Sequence, residues 1–131
     1  MDVMEGILWL ALNIYFEARN QSLEGQYAVA HVTLNRAEIT GKSIKAVVLE
    51  PGQFSWVRQQ GVTWKTPVKR IPIKEKKAFE RCKQVAKTAY MMNDPTYGAT
   101  HYHANYVRPK WAKRLKQTAK IGKHIFYRRH R

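Results

Sequence analysis

The stretch Gly6-Ile7-Leu8-Trp9-Leu10-Ala11-Leu12-Asn13-Ile14-Tyr15-Phe16-Glu17-Ala18-Arg19 decides how the chain must fold. From Glu5 to Arg19 it reads as a helix with apolar residues around nearly its whole circumference. Such a helix persists in water only when other elements surround it, so it is predicted to be central and buried. Glu17 falls in its last turn. Ile14 and Leu10, three and seven residues back, place the Glu17 side chain on a dry stripe. Burial disfavours an ionised carboxylate, and the negative end of a helix dipole acts in the same direction. A carboxylic acid kept protonated near neutral pH is what a glycosidase needs to protonate a leaving oxygen. The alternative is a structural ion pair of Glu17 with Arg19 or Arg36, since ion-pair networks also perturb carboxylates.

Working outward, Asn20-Gln21-Ser22 breaks this helix, and Ser22 is placed to cap the next. That second helix carries Leu23, Tyr27, Ala30, Leu34 and Ala37 at helical spacing. A short helix is predicted over Ser43 to Leu49, before Pro51-Gly52. Residues 51–73, with Pro51, Gly52, Gly61, Pro67 and Pro72, read as an irregular loop or hairpin region. Lys74 to Met92 forms a third strong helix with Ala78, Cys82, Val85, Ala89 and Met92 along one stripe. Asp94-Pro95-Thr96-Tyr97-Gly98 is a turn in which Asp94 bonds backbone. Ala99 to Ala104 alternates as a strand, Trp111 to Ala119 reads as a short helix, and Ile121 to Arg128 as a last strand. The fold class is α+β, mainly helical with a small β element, as a single domain over residues 1–131.

The charge is uneven. The 131 residues carry 24 Lys+Arg against 9 Asp+Glu, a net charge of +15. From Arg108 to Arg131 there are ten Lys/Arg and no carboxylate. Such a surface attracts polyanions: nucleic acid, an anionic membrane face or the anionic bacterial envelope. The single Cys82 excludes an intrachain disulfide and a four-cysteine zinc site. The longest apolar run, Ile7 to Leu12, is far too short to span a bilayer. The start, Met-Asp-Val-Met-Glu, lacks the basic beginning of a secretory signal, so the expectation is a leaderless protein made in the cytoplasm.

Among the other carboxylates, Glu24 sits in the first turn of the second helix, where its charge suits the dipole; it is also the candidate second acid beside Glu17. Glu75 and Glu80 lie among cations and read as solvated. His101 and His103, two apart on a strand, face the same side. With His124 they form a conceivable zinc set, but the spacing is unspecific and no metal or cofactor is assigned. Aromatic residues beside cations suit stacking on sugars or bases, and Trp56 and Tyr102 are the best ligand contacts because small polar residues flank them.

These segments resemble, in order, the blocks of the spore-cortex-lytic (SleB-type) cell-wall hydrolase family. The blocks are Ala11-Leu12-Asn13-Ile14-Tyr15-Phe16-Glu17-Ala18-Arg19, then Glu24-Gly25-Gln26-Tyr27-Ala28-Val29-Ala30-His31-Val32-Thr33-Leu34-Asn35-Arg36, then Gly52-Gln53-Phe54-Ser55-Trp56. The 94–104 segment and Ile121-Gly122-Lys123-His124-Ile125-Phe126-Tyr127 complete them. The resemblance implies a lysozyme-like domain that cuts the glycan strand of peptidoglycan between N-acetylmuramic acid and N-acetylglucosamine. It puts the catalytic glutamate on Glu17. Gln53, Ser55, Trp56, Thr100, His101, Tyr102 and His103 are expected to line the glycan cleft. Where family members often continue with Gly-Glu, this chain has Asn20-Gln21, which favours a lytic transglycosylase needing one acid over a hydrolytic muramidase. A small, basic, leaderless catalytic domain looks like a bacteriophage endolysin: a monomer released through a holin, acting at the cell wall or periplasm and drawn to the anionic envelope by its basic face. The rival of a different class is a basic nucleic-acid-binding protein, although no helix-turn-helix, zinc-finger or RNA-binding signature is present.

Overall fold

The computed structural model describes residues 3–130. The apolar segment forms helix α1 (Val3–Ala18), and every residue from Trp9 to Tyr15 is buried. Four elements enclose it: α2 (Leu23–Thr40), α3 (Ile44–Val48), α4 (Ser55–Gln59) and α5 (Lys76–Ala89). Ser22 caps α2 by accepting from the Gly25 amide at 3.2 Å, and Ser43 caps α3 by accepting from Ala46 at 3.1 Å. Each satisfies a first-turn amide that the helix cannot bond itself. The buried stripe of α5 is the expected one, with Ala78, Cys82, Val85 and Ala89 against α1; the helix stops before Met92.

A three-stranded antiparallel sheet packs on the far side of α2. Its strands are β1 (His101–Ala104), β2 (Lys116–Ile121) and β3 (His124–Arg128), in the order β1-β3-β2. Phe126, fully buried, joins Ala28, Val32 and Ala99 in a second small core between α2 and the sheet. Helix α2 therefore buries residues on two sides, against α1 and α5 and against the sheet. This is why its pattern is not the single stripe expected, and why Leu23, on that stripe, is 58% exposed.

Two stretches differ from expectation. Residues 111–119 do not form one helix: a 3-10 turn covers Lys110–Arg114, and Lys116–Ile121 is strand β2. Gly122, at φ 57°, turns the chain back so that Ile121 faces His124 across a two-residue hairpin. Pairing with β3 thus overrides local propensity. The predicted strand from Ile121 is interrupted there and restarts at His124. Within the irregular 51–73 region, Ser55–Gln59 is helical and Val68–Arg70 is a 3-10 turn.

One polar contact crosses the main core. Asn13 is fully buried in α1; its Oδ1 accepts from Trp56 Nε1 at 2.8 Å, and its Nδ2 donates to Thr33 Oγ1 at 3.3 Å. It ties α1 to α2 and α4 at once. Asn13→Ala is expected to lower unfolding stability by about 2–3 kcal/mol, because it strands an indole N–H and a hydroxyl without partners. Urea denaturation checks this; a loss within about 0.5 kcal/mol, typical of surface substitutions, would contradict it.

Candidate active site

Helix α1 ends at the site. Gln26 of α2, itself buried, donates to the carbonyls of Ala18 at 3.2 Å and Arg19 at 3.3 Å. It satisfies orphan acceptors of the α1 terminus and fixes that end against α2. Glu17 lies one residue before it, half-buried.

The partner of Glu17 comes from the sheet. Tyr102 on β1 donates its hydroxyl to Glu17 Oε1 at 2.8 Å. Its ring packs among Phe126 and His124, with centroids 5.6 and 5.2 Å away. Burial, together with the neighbouring carboxylate, drives the Tyr102 hydroxyl well above its ordinary pKa, so it stays a donor. Burial raises the Glu17 pKa above its ordinary 4.5, and the Tyr102 hydrogen bond pulls it partly back. Among the described residues Glu17 Oε2 has no hydrogen-bond partner, and unlike Trp9 Nε1, His31 Nε2 and His124 Nδ1 it is not sealed from solvent. The carboxyl group is thus held by one oxygen and open at the other.

Tyr102 reaches Glu17 because a polar row on α2 docks the preceding segment. Asn35 Nδ2 donates to Asp94 Oδ2 at 2.8 Å and to the Ala99 carbonyl at 2.9 Å. Arg36 donates to the Thr100 carbonyl at 2.6 Å and to Gln53 Oε1 at 2.7 Å. Asp94 holds the turn closed by accepting from the amides of Thr96 and Gly98 and from the Thr96 hydroxyl. Burial alone would raise the Asp94 pKa, but these bonds and Asn35 outweigh it and hold the group below its usual range. The sequence offers Arg36 only as an ion-pair partner of Glu17 and gives Asn35 no role; two polar side chains closing an otherwise small and apolar helix stretch are the signal for docking the next segment.

The ion pairs considered for Glu17 do not form. Arg19 pairs with Glu75 instead, and Arg36 is engaged with Thr100 and Gln53. Glu24 is exposed in the first turn of α2.

The expected cleft residues do not line one cleft. Trp56 is 3% exposed: its ring stacks on Phe16 at 4.5 Å and its N–H is taken by Asn13, so it is a core residue and not a sugar platform. Thr100 is buried, with its hydroxyl against His101 Nδ1 at 2.9 Å. Gln53 and Ser55 are exposed beside Arg36 and at the start of α4. His101 and His103 do share a face, both touching Trp111, but strand alternation turns that face away from Tyr102 and Glu17. His124 lies on the Tyr102 side, so the three histidines do not converge; among the described residues no metal-binding group of His, Cys, Asp or Glu occurs. Glu17 lines none of the four main cavities among the described residues.

The family model described as "Cell Wall Hydrolase" matches residues 20–127, and the chain belongs to that family of enzymes. The spore cortex-lytic enzymes of Bacillus cereus and of Halalkalibacterium halodurans are each 32% identical over 120 residues, 89% of this chain. The chain spans 42% and 33% of their respective lengths. Among solved structures, the catalytic domain of the germination-specific lytic transglycosylase SleB from Bacillus anthracis superposes with a TM-score of 0.76 at 28% identity, covering 97% of both chains. The catalytic domain of the Bacillus cereus SleB protein gives 0.73 at 30% identity, over 98% of this chain and 93% of that one. The fold is therefore the lysozyme-like α+β fold expected, mainly helical with a small sheet.

Two outcomes follow from the Glu17 environment. Replacing Tyr102 by Phe removes a hydrogen bond that favours the charged carboxylate, so the Glu17 pKa should rise further; carboxyl NMR titration reads the shift, and a downward move would refute the pairing. Because the folded-state pKa of Glu17 already exceeds its unfolded value, ionising it costs stability as pH climbs from about 4.5 through the folded value. Glu17→Gln should therefore gain thermal stability over wild type as pH rises through that window. Parallel melting profiles from pH 4 to 8 would contradict this.

Proposed function

We propose that this chain cleaves the glycan strand of peptidoglycan as a lytic transglycosylase, with Glu17 as acid and then base. The observation that carries the proposal is a half-buried carboxyl group whose pKa is raised, pinned at Oε1 by Tyr102 and open at Oε2. It is supported by membership of a cell wall hydrolase family and by the likeness to a lytic transglycosylase domain.

The protonated Glu17 gives its proton to the β-1,4 glycosidic oxygen between N-acetylmuramic acid and N-acetylglucosamine. The bond from that oxygen to C1 of the muramic residue breaks, and positive charge develops at C1 and the ring oxygen. Glu17, now a carboxylate, takes the proton of the muramic C6 hydroxyl. The C6 oxygen closes on C1, giving a 1,6-anhydro end, and Glu17 is protonated again without water. Tyr102 steadies the carboxylate at the point where charge appears on it. A cycle of this kind needs one acid. Burial and Tyr102 are the causes of the Glu17 shift, with no second carboxylate among them, and Glu24 is exposed. The remaining part of the proposal, action as a bacteriophage endolysin, is tested by whether expression lyses cells from within only when a holin is co-expressed.

Glu17→Gln should retain the fold and reduce release of muropeptides from purified sacculi by at least about 10²-fold, the smaller end of what a positioned acid supplies. Mass spectrometry of wild-type products should show anhydro-muramic ends. Reducing ends alone would establish a muramidase and overturn the transglycosylase step.

A further inference from the structure

One cavity of about 380 Å³ lies where the end of α2 meets the start of β1 and the end of β3. Arg36, Arg128 and Arg129 line it together with Thr100, His101 and Ile39, and no carboxylate does. None of these three arginines is in an ion pair among the described residues. Arg36 is bonded only to neutral acceptors, the Thr100 carbonyl and Gln53 Oε1, and Glu50, which attracts it, is not in the wall of the hollow. Three guanidinium groups thus converge on one hollow with no negative charge in its wall. The histidine there registers their field: burial lowers the His101 pKa, and Arg36 and Arg129 lower it further.

The hollow adjoins the Glu17 site. Thr100, in its wall, precedes Tyr102 by two residues, about 7 Å along an extended chain. Arg128 lies two residues beyond Phe126, the register partner of Tyr102, and so has the strand parity of Tyr102. Arg36 serves both places: it lines the hollow, and its charge pulls the Tyr102 pKa down against burial and Glu17. A muramic residue with C1 at Glu17 carries its wall peptide on the lactyl group of the same ring. Three residues of extended peptide span about 10 Å, enough to bring a peptide carboxylate from that ring to the arginines. A guanidinium matches a carboxylate with two parallel hydrogen bonds, and Ile39 offers apolar surface beside the charges for the aliphatic part of the peptide.

We propose that this hollow binds a free carboxylate of the peptide attached to the muramic residue, so that the enzyme selects peptide-bearing glycan over bare glycan. The inference rests on the proposed peptidoglycan reaction, which it deepens by naming a second part of the substrate. Arg128 and Arg129 hold the carboxylate, and Arg36, fixed by Thr100 and Gln53, supplies standing positive charge behind them.

The test measures binding of the full chain to two probes by calorimetry: N-acetylmuramyl-tripeptide with free carboxylates, and the same compound with every carboxylate converted to an amide. Wild type should prefer the free acid by about tenfold or more, as expected for hydrogen bonds to a charged group. Arg128→Gln/Arg129→Gln should reduce that preference to within about twofold, since the charged partners are gone. Arg128→Lys/Arg129→Lys should keep a preference of about fivefold, which separates loss of charge from damage to the strand. Lys65→Gln/Lys69→Gln, at two exposed lysines of the 51–73 region, should leave the preference unchanged within about twofold, because screening weakens distant surface charges. A wild type indifferent to amidation, a glutamine variant that keeps the preference, or a control that loses it equally would overturn the proposal. Tighter binding of poly(glycerol phosphate) at the same arginines would also overturn it. The probe contains no glycosidic bond between sugars, so this readout is separate from cleavage. Anhydro products without a carboxylate preference would remove this site and leave the Glu17 reaction, and a carboxylate preference without anhydro products would do the reverse.

Discussion

A helix with seven consecutive buried residues, Trp9 to Tyr15, can exist in water only inside a shell, and the rest of the molecule is that shell. Helices α2, α3 and α5 pack directly on α1, while α4 adds Trp56 against Phe16. The enclosure is strict enough that the buried amide of Asn13 must find partners on two other elements. The same enclosure produces the environment of Glu17 on which its proposed role rests. As α1 emerges from the core, its last turn carries Glu17 while still partly sheltered, and shelter raises the proton affinity of a carboxylate. The acid is a by-product of where the central helix surfaces, refined by one hydroxyl from the sheet.

Helix α2 mediates between these parts. One side closes the core around α1; the other supports the sheet through Ala28 and Val32. Between them, Gln26 fixes the end of α1, and Asn35 and Arg36 fix the segment leading into β1. The distance between Glu17 and Tyr102 is therefore set by one rigid element bonded to the backbone just after Glu17 and just before Tyr102, which is how a carboxyl group keeps a defined partner across 85 residues of sequence.

Much of this was legible in the sequence because it is local. The all-round apolar content of residues 7–16 identified the central helix, Ser22 and Ser43 announced their helices, and Asp94 announced its turn. What could not be read depended on distant partners. Strand β2 exists because β3 pairs with it, and nothing within Lys116–Ile121 distinguishes it from an exposed helix end. The polar neighbours of Trp56 suggest a ligand contact, but its environment is made by Phe16 and Asn13, some forty residues earlier. The separation of Tyr102 from His101 and His103, by contrast, follows from strand alternation alone.

That alternation sets how the enzyme can change. In β1 the odd-numbered side chains serve one side of a thin sheet and Tyr102 serves the other, with register fixed by His101 opposite Tyr127 and Ala104 opposite His124. Inserting or deleting a single residue between Gly98 and His101 would reverse the parity of the strand, sending the tyrosine outward and a histidine toward the acid. Two residues could be accommodated where one could not. Lineages descended from such a chain should therefore vary in length at this bend only by even steps.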